Sequence, residues 1–376
     1  MKTAAIWAVS ILALSAVLVG GSARSAEESK PVVQIALLLD TSGSMSGLID
    51  QARTQLWKIV NEFIVLKRQG KRPELQVALY EYGNDNLPAD KGHMRQVVPL
   101  TTDLDKVSEE LFALKTCGGY EFCGMVVQLA SQELSWSGSK DALKLIFIAG
   151  NEPFTQGTVD FHKSCAAAIA KGIAVNTIYC GSYEEGVATD WKNGAALADG
   201  SYMSIDQNQQ VAQVDAPQDK EIARLGAELN NTYIPYGSQG RSGQARQEAQ
   251  DSNALSAAKG AAVQRAVSKA SGYYNNASWD LVDGVKQGQI KLAEVDEKAL
   301  PENLQKMSAG ERKVYVETKL KERDKLQQSI SQLSEERKQY VAKKMAELSK
   351  GGSQTLDAAM INVIRQQAAQ RGFKSE

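Results

Sequence analysis

Val32-Val33-Gln34-Ile35-Ala36-Leu37-Leu38-Leu39-Asp40-Thr41-Ser42-Gly43-Ser44-Met45-Ser46-Gly47 is the stretch from which the fold can be read. It begins as an apolar run, the pattern of a strand buried on both faces at the centre of a parallel sheet. The run stops at Asp40, and hydroxyls follow at Ser42 and Ser44. Ligands of open α/β sheets sit at the carboxyl ends of the strands, so these three oxygens emerge where a site belongs. One carboxylate and two hydroxyls in a glycine-containing turn make a hard donor set suited to Mg²⁺, with Mn²⁺ or Ca²⁺ as alternatives. The same residue types also serve as helix N-caps, which is the plainer reading of the turn.

Working outward, apolar residues at Leu48, Ala52, Leu56, Ile59, Val60, Phe63 and Leu66 predict an amphipathic helix over 48–69. Strands are expected at 75–82 and 94–100, then a helix over 103–114 and a second over 125–134. A buried strand follows at 142–149, a helix at 159–171 closed by Gly172, and a strand at 173–179. A helix at 189–197, a last strand at 201–205 and a closing helix near 222–229 complete the pattern. Strands alternating with helices over this length predict an α/β fold with a doubly wound, mostly parallel sheet.

The D-x-S-x-S turn of Asp40, Ser42 and Ser44 after a hydrophobic strand resembles the metal-ion-dependent adhesion site of von Willebrand factor type A domains. The order and lengths of the elements resemble that family over 31–236. The resemblance implies an antiparallel hairpin at one sheet edge and a cation whose open coordination position takes a carboxylate from a protein partner. It also implies a Thr in a second loop and an Asp in a Thr-Asp-Gly turn after the fourth strand. Here the second loop reads Gly118-Gly119-Tyr120-Glu121-Phe122-Cys123-Gly124, with Thr116 slightly early, and the Asp position falls on Gly150. Glu121, Asn151 and Glu152 are the nearest substitutes as oxygen donors. Tyr120, Phe122 and Phe154 either pack the top of the sheet or form an aromatic rim for a partner.

Residues 1–26 read as a secretory signal peptide, with Lys2, an apolar stretch and then small residues. A periplasmic, cell-surface or secreted protein is therefore expected, with no membrane span once the signal is removed. In an oxidising compartment the four cysteines allow three pairings. Cys165, early in a helix, is expected to pair with Cys180 at the end of the next strand, leaving Cys117 with Cys123.

Residues 237–376 form a helical or coiled-coil extension that starts with a Gly- and Ser-rich linker. Ala- and Gln-rich sequence over 245–271, with few large apolar residues, is expected either to lie across the head or to be loosely ordered. Ser308 and Glu311 make a capping box ahead of a long helix, whose Leu326, Ile330, Leu333, Tyr340 and Met345 approximate a heptad seam interrupted by Arg337. Gly351-Gly352 ends it, and a last helix over 356–369 carries Met360, Val363 and Ile364 on one side. A helical hairpin or a stalk able to self-associate is expected. From Arg241 onward 23 Lys+Arg stand against 17 Asp+Glu, and before it 20 against 27. That imbalance is too weak to imply nucleic acid. No nucleophile elbow, Walker loop or H-E-x-x-H helix occurs, and His93 and His162 lack a visible nucleophile partner. The expectation is a metal-dependent adhesion or protein-interaction module and not an enzyme; the alternative is a metal-free scaffold that oligomerises through its tail.

Overall fold

The computed structural model describes residues 30–208, 214–348 and 355–375. The expected signal segment, the Gly351-Gly352 stop and the Met345 side chain lie outside the described residues. The chain opens with β1 (Val32–Asp40), α1 (Ser46–Asn61), the two-residue β2 (Leu66–Lys67), β3 (Glu74–Tyr82), β4 (Met94–Thr101) and α2 (Leu104–Ala113). Next come α3 (Cys123–Glu133), β5 (Leu143–Gly150), α4 (Phe161–Ala170), β6 (Ala174–Cys180) and the short α5 (Tyr183–Ala188) and α6 (Trp191–Ala196). β7 (Tyr202–Ile205) and α7 (Asp219–Asn230) follow.

Six strands form one sheet in the order β4-β3-β1-β5-β6-β7. β4 runs antiparallel to β3 at one edge, and the other neighbours are parallel. This is the doubly wound sheet and edge hairpin expected from the sequence. β1 is its centre. Val33, Ile35, Leu37 and Leu39 enter the apolar cluster on one face, and Ala36 and Leu38 enter the cluster on the other. Period-two alternation of this kind forces helices onto both faces. Chain order reverses between β1 and β5, so Asp40 ends its strand at a topological switch point.

α1 stops at Asn61, short of the predicted 69. Phe63 and Leu66 still bury in the same cluster, which extended the apolar spacing past the helix. The chain instead turns into β2, and a tight turn through Gln69 and Gly70, both at positive φ, leads to β3.

The C-terminal part consists of α8 (Gly240–Ala257), α9 (Lys259–Ala270), α10 (Leu281–Lys286), α11 (Glu302–Gln305), α12 (Ala309–Leu348), α13 (Leu356–Gln370) and β8 (Lys374–Ser375). The stretch expected as a linker is held by backbone bonds from Tyr236 to Trp279 (2.9 Å) and from Gly237 to Ala299 (2.8 Å). Gly240 then opens α8. At Gly243 any Cβ would run into the Trp279 ring, so this glycine serves close packing and not flexibility.

α12 is the expected long helix, and Ser308 and Glu311 form the capping box in both directions, at 2.8 and 3.3 Å. The first part of its seam is used within the chain. Leu326, Ile330 and Leu333 join Tyr233, Val263 and Trp279 in one cluster, and Arg337 pairs with Asp219 at 2.5 Å. α13 places Met360, Val363 and Ile364 in the sheet-face cluster beside α1, and β8 pairs antiparallel with β2. The last helix therefore covers the sheet and does not form a hairpin stalk. Among the described residues no helix is long and apolar enough to cross a membrane.

The four cysteines are free thiols, which corrects both expected pairings. Cys165 lies in the cluster on one face of the sheet and Cys180 in the cluster on the opposite face, so the sheet separates them. Cys123 is buried with its sulfur 3.9 Å from the Tyr82 hydroxyl, while Cys117 is part-exposed on the loop.

Two buried arginines fasten the helical part to the head. Arg265 of α9 lies 4.6 Å from the Trp57 ring and bonds Asp105 of α2 at 2.7 Å and Asp251 of α8 at 2.5 Å. Arg323 of α12 bonds Asp280 and Asp283, at 2.6 and 2.7 Å, and lies 4.0 Å from the Tyr233 ring. Breaking a buried pair strands its partner charge at a cost of about 3–5 kcal/mol. Arg265→Ala should lose stability on that scale in urea unfolding, and Asp105→Asn in the same chain should recover part of it. A variant as stable as the parent would mean that the helices hold to the head without this pair.

Candidate functional site

The turn after β1 is built by its own backbone. Thr41 N–H donates to the Tyr82 carbonyl at 2.8 Å, and Ser42 N–H donates to Asp40 Oδ1 at 2.7 Å. Met45, fully buried, pins the turn before α1 starts. Asp40 is fully buried and Ser42 nearly so, whereas Ser44 is exposed. The Ser42 and Ser44 hydroxyls lie 3.4 Å apart.

The second loop is tied to this turn by Cys117 N–H to the Thr41 carbonyl (2.9 Å) and Asp85 N–H to the Gly118 carbonyl (2.7 Å). Gln156 accepts from Glu121 N–H at 2.5 Å, and the Glu121 side chain turns inward to Asp40 and Ser42, 4 % exposed. From the third loop, Asn151 Nδ2 lies 3.4 Å from Ser44 Oγ, and the Glu152 N–H supports the Glu121 carboxyl. The structure thus brings Asp40, Ser42, Ser44, Glu121 and Asn151 together. Glu152 stands at the rim, with its carbonyl accepting from Trp191 Nε1 at 2.8 Å.

Tyr82 was missed by the sequence reading. It ends β3 in register with Asp40, and its hydroxyl donates to the Ala149 carbonyl at 2.9 Å. A Cβ at Gly150 would collide with that hydroxyl and crowd the Asp40 carboxyl. The aspartate implied by the resemblance therefore has no room, and Glu121 reaches in from the second loop in its place. Gln156 was missed as well; no local signal marks it, because its role is to hold a backbone N–H 35 positions away.

Burial, and then the Glu121 charge, push the Asp40 carboxyl well above the usual carboxylate range. Burial likewise raises Glu121, and the charge of Glu152 adds to it. Asp40 Oδ2, Glu121 Oε2 and Asn151 Oδ1 are buried without a hydrogen-bond partner. Buried acceptor oxygens without partners call for a proton or a cation. Among the described residues no three His, Cys, Asp or Glu side chains converge as a metal cluster. The set here has two carboxylates, and its other donors are hydroxyls and an amide oxygen, a combination that fits Mg²⁺ or Ca²⁺ better than zinc.

Of the aromatic residues, Phe154 is core, packed against Phe161 and Trp191. Tyr120 is 63 % exposed and stacks on Phe122, with ring centroids 6.0 Å apart, beside the site. His93 completes this group, 5.9 Å from Tyr120 and 3.6 Å from Asp85.

Sheet order, edge hairpin and the D-x-S-x-S turn at the switch point give the head a von Willebrand factor type A-like fold. No protein-family model matches the chain, and no curated protein matches it either. Similar solved structures include the conserved hypothetical protein BatB from Bacteroides thetaiotaomicron, 16 % identical, covering 46 % of this chain and 90 % of that one at a TM-score of 0.36. The SpRpn10 VWA domain is 16 % identical over 48 % of this chain and all of its own, with a TM-score of 0.35. Proximal thread matrix protein 1 from the mussel byssus, solved with a zinc-occupied MIDAS motif, is 13 % identical over 46 % of this chain and 42 % of its own, at 0.35. At these values the fold assignment rests on strand order and the switch point alone.

Gly150→Ala should destabilise the protein by about 1–3 kcal/mol, the usual cost of overpacking. Tyr82→Phe in the same chain should return part of it, read as a shift in the thermal unfolding midpoint. No rescue would place the crowding elsewhere than at the hydroxyl.

Proposed function

We propose that this chain is an exported protein-interaction or adhesion module whose head binds its partner through a divalent cation at the switch point. The observation that carries the reading is the trio of orphaned buried oxygens on Asp40, Glu121 and Asn151, beside the Ser42 and Ser44 hydroxyls. Asp40, Ser42, Ser44, Glu121 and Asn151 would hold the ion, and Glu152 would add charge at the rim. When bound, the ion supplies a Lewis-acidic position for an acidic side chain of the partner. Glu121 brings a second carboxylate, so the charge of a divalent ion is largely offset and its pull on the partner's acid is moderate. The exposed Tyr120–Phe122 stack supplies apolar contact next to it.

Export rests on the N-terminal sequence, and the absence of catalytic machinery from this reading rests on the motifs. A second reading is favoured by the same carboxyl pair: a shared proton satisfies Asp40 and Glu121 without any metal, leaving a scaffold. Self-association through the tail has less support, because Leu326, Ile330 and Leu333 of the α12 seam are covered within the chain.

A chelated sample decides between the two. Both carboxyl groups hold protons more tightly folded than unfolded, so stability is full below about pH 4 and falls as pH rises through that range toward the raised folded values. At pH 7, Mg²⁺, Mn²⁺ or Ca²⁺ should restore what is lost, by about 2.7 kcal/mol at a hundred times the dissociation constant. Asp40→Asn should abolish that response and flatten the pH dependence. A pH-dependent protein that no cation stabilises would establish the proton-sharing scaffold instead.

A further inference from the structure

At the other end of the sheet, where the parallel strands begin, residues 134–142 loop past the C-termini of α3 and α4. Gln34 of β1 holds this loop, accepting from Ser137 N–H at 2.7 Å and donating to the Ser135 carbonyl at 3.3 Å. Beside it lies a groove of about 730 Å³ lined in part by Lys140, Lys144, Lys171 and Arg371, with no Asp or Glu among the described residues of its lining. Lys144 is 9 % exposed, and among the described residues its ammonium donates to the carbonyls of Ser137 (3.1 Å) and Lys171 (2.5 Å). Lys171 donates to the Ser131 carbonyl at 2.9 Å, and Arg371 reaches the Lys140 carbonyl at 3.3 Å.

These carbonyls satisfy N–H groups but carry no net charge. The two helix C-termini contribute about half a negative charge each, against four cations. Asp141, the adjacent acid, is already engaged by Arg68 at 2.7 Å. Burial and the Arg371 charge both disfavour the Lys144 ammonium, as expected where cations face one another without a counter-ion. Clustered cations of this kind favour an anion. Its size exceeds a bare phosphate and falls within the range of small-molecule sites. Half-buried Trp136, with Ile169 and Leu134, gives it an apolar wall.

We propose that this groove binds a tetrahedral oxyanion, a phosphate or sulfate group, carried on an aromatic or apolar body. The oxyanion meets Lys140, Lys144 and Arg371, and the body rests against Trp136. The site is independent of the cation turn, which lies at the opposite end of the strands.

The test is isothermal titration of the full chain at low ionic strength with phenyl phosphate, phenyl sulfate, inorganic phosphate and phenol. Saturable binding of a phenyl ester, several-fold tighter than inorganic phosphate and absent for phenol, supports the assignment; the stronger of the two esters identifies the head group. Lys140 and Arg371 are exposed, so Lys140→Glu with Arg371→Gln should leave the unliganded thermal midpoint near that of the parent. Affinity should fall at least tenfold. Lys144→Met should weaken binding as well, although it also removes a helix-capping contact. Unchanged binding in the double variant overturns the proposal, as does an equal response to chloride at matched ionic strength.

Discussion

Arg265 is the residue on which the assembly of this chain depends. A guanidinium is too strongly hydrated to be buried alone, and here it is taken from water only because Asp105, Asp251 and the Trp57 ring meet it together. Trp57 belongs to the helix that covers the sheet, Asp105 to the next helix of the head, and Asp251 to the C-terminal part. One side chain thus sets the register of three helices. Arg323 repeats the arrangement further out, joining α12 to the segment before α10 and to the Thr232 carbonyl at 2.6 Å. Specific charge pairing, with apolar seams around it, makes the head and its extension a single packed body.

The same economy of charge is absent at the switch point. There, two carboxyl groups are buried near each other with no cationic side chain between them, and the neighbouring glycine cannot become anything larger. Tyr82 occupies the volume that an aspartate after β5 would need, and Glu121 arrives from another loop. The oxygens gathered here differ from those the resemblance implies, while the switch point stands where the sheet order puts it. Position is dictated by the sheet, whose strands end there; chemistry is dictated by whichever side chains the loops can deliver. The cationic groove at the other end of the strands shows the opposite imbalance, positive charge gathered without an acid to answer it.

Much of this was legible in the sequence because it is local. The apolar run of β1 and the oxygens after it announce a central strand and a switch-point turn within sixteen residues, and Ser308 with Glu311 announces the start of α12. Glu121, Asn151 and Glu152 could be nominated from their loops. What could not be read depends on register or on which face of the sheet a residue takes. Tyr82 reaches the site only because β3 pairs with β1 residue for residue. Cys165 and Cys180 were expected to meet where helix and strand adjoin, yet α4 packs on one face of the sheet and the alternation of β6 turns Cys180 to the other. Arg265, Arg323 and Lys144 resemble ordinary surface charges until burial is known. Phe63 and Leu66 kept helical spacing after the helix had ended, because burial against one cluster does not require one element.

The pairing of β8 with β2 has a consequence for how the chain reaches this structure. Residues 356–375 cover a sheet whose first strand begins at Val32, so contacts that complete the face span over three hundred positions. Contacts at such separations are slow to form, since loop closure precedes any gain from them. Until residues 356–375 dock, the face that carries α1 and α2 lacks α13, and apolar residues of that cluster stay bare. Closing that face is therefore a late step of folding.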